Sequence, residues 1–174
     1  MNIKRIVVGE LQTNCYLIYD DDKVLVIDPG DEYFKIKKEI GNKKVEGILI
    51  THKHFDHIGC IKNLVNDYGA YVYDNSNLNE GENKISIFKF KMIKTYGHTM
   101  DSISFYFEES KVMFTGDFLF YDTIGRCDFR ESNEIEMYKS IKKIKDYPDD
   151  TLIYPGHGIN TTLGREKMCN IYFR

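Results

Sequence analysis

The sequence lacks a C-x-x-C pair: its four cysteines, Cys15, Cys60, Cys127 and Cys169, stand 45, 67 and 42 residues apart. That spacing excludes a zinc ribbon and a dense disulfide scaffold, and reads as four reduced thiols of a cytoplasmic protein. No apolar run approaches the roughly 18 residues that cross a bilayer. The start, M-N-I-K-R-I-V-V-G-E, has neither a long apolar core nor a small-residue cleavage site, so no secretory signal is expected. Positive charge is not in excess. The net charge is −3, which gives nucleic acid no basic field to follow. Alanine occurs once, at Ala70, a skew that reads as coding bias. Histidine is scarce, with five in 174 residues.

What is present is an ordinary globular composition, 42% hydrophobic and 29% charged, in a length that suits one domain, here 1–174. Strand signals occupy 3–8, 15–19, 23–27 and 45–50. The acidic run Asp20-Asp21-Asp22 reads as a hairpin turn. A helix over 32–41 places Tyr33, Ile36 and Ile40 on one face. A second runs from about Ile58 to Tyr68, with Gly69 ending it. Further strands are expected near 70–73, 85–92, 102–107, 111–115 and 151–154, with 74–84 as a surface loop. A third helix, capped by Ser132 or Asn133, carries the apolar stripe Ile135, Tyr138, Ile141 and Ile144. Asn133 and Glu136 have capping-box spacing. The pattern is one α/β domain whose sheets are covered by helices.

Residues 51–57 read Thr-His-Lys-His-Phe-Asp-His, directly after an apolar strand and directly before a helix. In extended chain, positions i and i+2 point the same way, so His52 and His54 can meet one ion. The turn into the helix at Phe55 redirects Asp56 and His57 toward a neighbouring one. Imidazole with carboxylate suits zinc, and less exclusively iron or manganese. His98 in Y-G-H-T, Asp117 in F-T-G-D and His157 in Y-P-G-H-G each sit at a strand end beside a glycine, which makes seven candidate ligands. Asp28, at a strand end before Pro29-Gly30, can orient a ligand histidine from behind. The other reading of Asp28 is a turn residue.

The motifs V-I-D-P-G at 26–30, T-H-K-H-F-D-H at 51–57, G-H-T at 97–99, T-G-D-F-L-F at 115–120, I-G-R-C-D-F at 124–129 and Y-P-G-H-G at 154–158 resemble the metallo-β-lactamase superfold. Within it, the sequence resembles the glyoxalase II (hydroxyacylglutathione hydrolase) branch. The resemblance implies a four-layer αβ/βα sandwich with a dinuclear site at one edge. It assigns His52, His54 and His98 to the first metal, and Asp56, His57 and His157 to the second, with Asp117 bridging. Two departures stand out. Met100-Asp101 replaces the usual Pro-Gly after Gly-His-Thr. The sequence also stops at Arg174, where full-length glyoxalase II continues into a helical domain that binds glutathione, so a short form is expected.

The resemblance implies hydrolysis of a small acyl thioester, S-lactoylglutathione-like, by a hydroxide shared between two divalent ions. A thiolate of pKa near 8.5 leaves with little acid assistance. Asp56 and Asp117 are the candidate catalytic carboxylates, with Asp56 handling a proton. Arg126 is a candidate for an anionic part of the substrate, with a structural salt bridge as its other reading. Tyr121 is a further candidate pocket residue. Two rivals remain: a mononuclear-iron persulfide dioxygenase, since G-R-C-D-F resembles that branch too, and an inactive metal-binding module of the same fold. No nucleic-acid or membrane partner is expected.

Overall fold

Period-two alternation along the strands decides the layering. A computed structural model describes residues 1–174. The first sheet holds β1 (Asn2–Val8), β2 (Thr13–Asp20), β3 (Lys23–Ile27), β4 (Lys44–Leu49) and β5 (Val72–Tyr73), in that order. The first three are antiparallel neighbours, and β3, β4 and β5 run parallel. Parallel pairs need a crossover. Helix α1 (Tyr33–Ile40) supplies it between β3 and β4. The pair α2 (Phe55–Ile58) and α3 (Ile61–Tyr68) supplies it between β4 and β5.

The second sheet contains β6 (Gly81–Ile85), β7 (Phe88–Lys94), β8 (Ile103–Phe107) and β9 (Val112–Gly116). After a small hairpin of β10 (Leu119–Phe120) and β11 (Thr123–Ile124), helix α4 (Glu134–Ile144) leads to β12 (Leu152–Pro155). Strand β13 (Thr161–Thr162) and helix α5 (Leu163–Cys169) follow. The sheet order is β13-β12-β9-β8-β7-β6, with β12 and β9 parallel.

Along β2, Cys15 and Leu17 pack with Ile36 and Ile40 of α1 and Leu64 of α3. Their neighbours Tyr16 and Ile18 face the other way, against Phe90, Phe105 and Phe114 of the second sheet. Along β9, Val112 and Phe114 join that central core, while Met113 turns out to Met137, Ile141 and Leu163 of α4 and α5. The layers are therefore helix, sheet, sheet, helix, the four-layer sandwich expected from the resemblance. No helix is long and apolar enough to cross a membrane.

Three local expectations need correction. The stretch 85–92 is not one strand. It turns at Ser86-Ile87, with Ser86 at φ 54, and its first arm starts at Gly81, inside the stretch read as a loop. The helix expected from Ile58 is broken: α2 ends at Ile58 and α3 begins at Ile61. The expected stripe on α4 holds only at Ile141 and Ile144. Ile135 is 69% exposed and Tyr138 52%, whereas Met137, Ser140, Ile141 and Ile144 are buried. Steps of three residues fall roughly 60° short of a turn, so three such steps in line wander off one face. The Asn133 cap is present, its side chain accepting from Glu136 N at 3.1 Å. Glu136 does not close the box and reaches Lys139 instead. Gly69 ends α3 in the left-handed conformation.

Candidate metal centre

The ends of β3, β4, β7, β9 and β12 converge at one edge of the sandwich. Beyond β4 the chain stays extended to His54 (φ −63, ψ 144). His52 Nε2 and His54 Nδ1 come within 3.1 Å. His98, after β7, brings its Nε2 within 3.0 Å of the same His54 Nδ1. The turn into α2 carries Asp56 and His57 around the corner, with Asp56 Oδ2 3.4 Å from His57 Nε2. His157, after β12, places its Nε2 3.4 Å from Asp56 Oδ2. Two groups result: His52, His54, His98 and Asp117, and Asp56, His57 and His157.

Asp117, at the end of β9, lies between them. Its Oδ2 is 3.9 Å from His52 Nε2, 3.6 Å from His98 Nε2 and 3.4 Å from His157 Nε2. Its Oδ1 is 3.4 Å from His57 Nε2. Ligand atoms held at 2.0–2.1 Å around a tetrahedral zinc stand about 3.3 Å apart, which these separations match. His57 Nε2 and Asp117 Oδ1 are buried without a hydrogen-bond partner. Buried polar atoms are ordinarily satisfied, and a divalent ion between them would satisfy both. The residues therefore fit a pair of metal ions.

Each ring is oriented by its other nitrogen. His57 Nδ1 donates to Asp28 Oδ2 at 2.9 Å. His98 Nδ1 donates to the Arg126 carbonyl at 2.9 Å, and His157 Nδ1 to that of Leu11 at 3.0 Å. Thr51 Oγ1 gives its proton to Asp28 Oδ2 at 2.6 Å and so accepts from His52 Nδ1 at 3.1 Å. His54 Nε2 meets Glu131 Oε1 at 3.3 Å, so His54 faces the group with Nδ1 and the other four rings with Nε2. Asp28 holds the His57 ring from a left-handed backbone position (φ 49). Glu131, Thr51 and the two carbonyls were not foreseen. Carbonyls carry no residue signature, and Glu131 lies in a charged loop like many others.

Close approach also demands glycine. A Cβ at Gly30 would stand 1.5 Å from the Asp56 carbonyl, and one at Gly156 would stand 2.2 Å from Asp117 Oδ1.

The electrostatics separate the groups. Burial opposes charge on His57, but Asp28 and Asp117 outweigh it and raise its pKa to about 10. Burial opposes charge on His157 too, and Asp117 and Asp56 raise it to about 9. Burial, helped by neighbouring His57, pushes His52 well below the histidine range, and burial lowers His98. Burial penalises the anion of Asp117, yet His157 and His57 prevail and hold its carboxyl well below the usual range. Asp56 is likewise held low against burial, by His157, His57 and Thr13.

Above the ligands opens a cleft of about 410 Å³. Leu11, Phe55, Phe120 and Phe129 line its walls, and Arg126 is the only lysine or arginine on them. The Arg126 guanidinium is exposed, forked onto Asp128 at 2.6 and 2.7 Å and stacked 4.3 Å over Phe129. Its salt-bridge reading therefore describes the resting structure, at a position that still faces the cleft. Tyr121 does not line the cleft. It lies under the Arg165 guanidinium at 3.6 Å, because Arg165 is forked onto the adjacent Asp122.

The sequence matches the Metallo-beta-lactamase superfamily over residues 8–78 and 71–157. It is 34% identical to the hydroxyacylglutathione hydrolase GloC of Haemophilus influenzae, over 98% of this chain and 97% of that protein. It is 39% identical to a hydroxyacylglutathione hydrolase of Pelagibacter ubique, over 91% and 72%. Among solved structures, BLEG-1 B3 metallo-beta-lactamase superimposes with a TM-score of 0.93 at 30% identity, covering 99% of both chains. TTHA1623 in a di-iron-bound form gives 0.88 at 29%, over 97% and 99%. ETHE1 from Myxococcus xanthus gives 0.88 at 29%, over 98% and 84%. The sandwich, the two ligand groups at its edge and these matches have one meaning: this chain belongs to the metallo-β-lactamase superfamily.

Proposed function

We propose that this protein is a dinuclear metallohydrolase acting on a small acyl thioester, S-lactoylglutathione-like. The observation that carries the reading is Asp117, one half-buried carboxylate facing both ligand groups. His52, His54 and His98 would hold one ion, Asp56, His57 and His157 the other, with Asp117 shared. Zinc fits the nitrogen and oxygen donors best, and iron or manganese fit them as well. Bound ions supply an activated water and polarise the acyl oxygen.

The chain's own groups do the rest. Asp117 stays anionic, and the hydrogen bonds behind each ring fix which nitrogen faces inward. Asp56 lines the cleft and handles a proton during turnover. The walls of Leu11, Phe55, Phe120 and Phe129 hold the acyl thioester and exclude water. Arg126, released from Asp128, pairs with a carboxylate of the substrate. A thiolate with pKa near 8.5 needs no dedicated acid to leave, and no such acid stands among the cleft residues. The relatives named hydroxyacylglutathione hydrolase support this substrate class. The four unpaired thiols support a reducing, cytoplasmic setting.

The test is a thioester panel (glutathione, coenzyme A and other small thiols) run on protein whose isolated metals are quantified. Hydrolysis with one to two equivalents of metal is expected. Bound metal with no thioester cleaved would overturn the reading. Likeness to ETHE1 supports a second reading, persulfide oxygenation at a mononuclear iron. A mononuclear site has no use for the complete second group, which favours the hydrolase. Oxygen uptake with a persulfide would reverse that preference.

A further inference from the structure

We infer that the run Leu11–Asn14 assembles the second ligand group, with Thr13 and Asn14 as positioning residues for Asp56 and His157. The inference rests on the two-ion reading of the site.

Asp56 and His157 come from opposite sheets, so something must hold them at 3.4 Å. Thr13, the first residue of β2, is buried. Its Oγ1 donates to Asp56 Oδ2 at 2.7 Å. A carboxylate oxygen has two lone pairs. The hydroxyl takes one, which leaves the other for the space between His57 and His157. The backbone of Thr13 also forms an antiparallel bridge with His157.

Asn14 grips the turn that carries His157. Its backbone N–H donates to the Gly156 carbonyl at 2.7 Å. Its side-chain Nδ2 donates to the Pro155 carbonyl at 2.9 Å and to the Gly158 carbonyl at 3.0 Å. Three residues of β2, Thr13, Asn14 and Tyr16, end on this turn, since Tyr16 Oη adds a bond to Pro155 at 2.6 Å beside the bridge and the Asn14 bonds. Two residues upstream of Thr13, the Leu11 carbonyl fixes the His157 ring. Asn14 spends both amide protons on these carbonyls while its own Oδ1 lies buried and unpaired. An orphaned oxygen weakens folding, and a residue that only filled space would avoid it. The amide is there to place the turn.

The first group uses none of this. His52 leans on Thr51, His54 on Glu131, and His98 on the Arg126 carbonyl. Damage at 13 and 14 must therefore fall on one ion position and spare the other. A general loss of packing has no such selectivity.

The experiment titrates Zn(II) against a chelator, and Mn(II) by electron paramagnetic resonance, into stripped parent, Thr13→Val, Thr13→Ser and Asn14→Leu proteins. Melting temperatures of the stripped proteins are measured alongside. The parent binds two ions. In Thr13→Val and Asn14→Leu the second ion weakens by about 10–100-fold while the first stays within about threefold, the range for partners behind a ligand. Thr13→Ser restores the second ion, and the coupled Mn(II) signal of the pair returns with it. Both ions weakening together, or both unchanged, overturns the inference. If Asn14→Leu does not fold, the Val and Ser pair at 13 decides alone. A parent that binds only one ion overturns the two-ion reading itself, a separate result.

Discussion

Oδ2 of Asp28 accepts two protons at once, from His57 Nδ1 at 2.9 Å and from Thr51 Oγ1 at 2.6 Å. Because Thr51 in turn accepts from His52, one buried carboxylate orients a ring in each ligand group. Asp28→Asn keeps the shape and removes the charge. Metal affinity is expected to fall by about 10–100-fold, most at the group containing His57, which touches Asp28 directly. Chelator competition with zinc measures it.

Asp117→Asn removes the one anion that faces both groups. Bound metal is expected to drop from two equivalents to one or fewer. Thioester turnover should fall by more than about 100-fold, beyond the usual cost of a partner behind a ligand. Metal analysis and initial rates on the same preparation check both parts.

Gly156→Ala drives a methyl group to 2.2 Å from Asp117 Oδ1 and 2.8 Å from His57 Cε1. Neither neighbour can retreat without leaving the site. A stability loss of about 1–3 kcal/mol is expected from overpacking, together with weaker metal retention. Denaturant unfolding and metal content measure the two.

Protein stripped of metal has a definite pH signature. His57 rises from 6.5 to about 10 on folding, and His157 from 6.5 to about 9. A raised pKa gives stability that is complete below the unfolded value and lost as pH climbs through the folded one. Asp117, held low, gives stability above its unfolded 3.8 that is lost in acid. The melting temperature of stripped protein should therefore fall between about pH 6.5 and 10. Metal displaces those protons, so loaded protein should not show the fall.

Tyr121→Phe is expected to leave turnover unchanged within about twofold, because a surface change away from the chemistry costs little. Glu166→Ala, by contrast, empties a fully buried position whose carboxylate accepts from Thr161, Asp122 N, Asn170 and Arg165. About 3–5 kcal/mol of stability is at stake when a buried charge partner is removed. Initial rates check the first and unfolding curves the second.

The two groups stood out because histidine is rare here and all five fall in them. The four layers came from the family resemblance; β2, β3 and β9 are continuous apolar runs, and only the fold divides their side chains between two cores. The partners that set each ring were not. Leu11 and Arg126 act through carbonyls, which any residue owns, and Thr13 reads as an ordinary strand threonine until Asp56 is folded against it. The two-residue strands β10, β11 and β13 are too short to show a period. On α4 the apolar positions fit two overlapping stripes, and only packing against β8 and β9 chooses Met137 over Tyr138.

Each ligand group draws from both sheets: His52 and His54 from the first with His98 and Asp117 from the second, then Asp56 and His57 from the first with His157 from the second. An ion in each group would thus be a rivet through the interlayer seam. Sliding one sheet over the other would pull each group's own ligands apart. Metal affinity at each group would then report how firmly the two sheets are held in register.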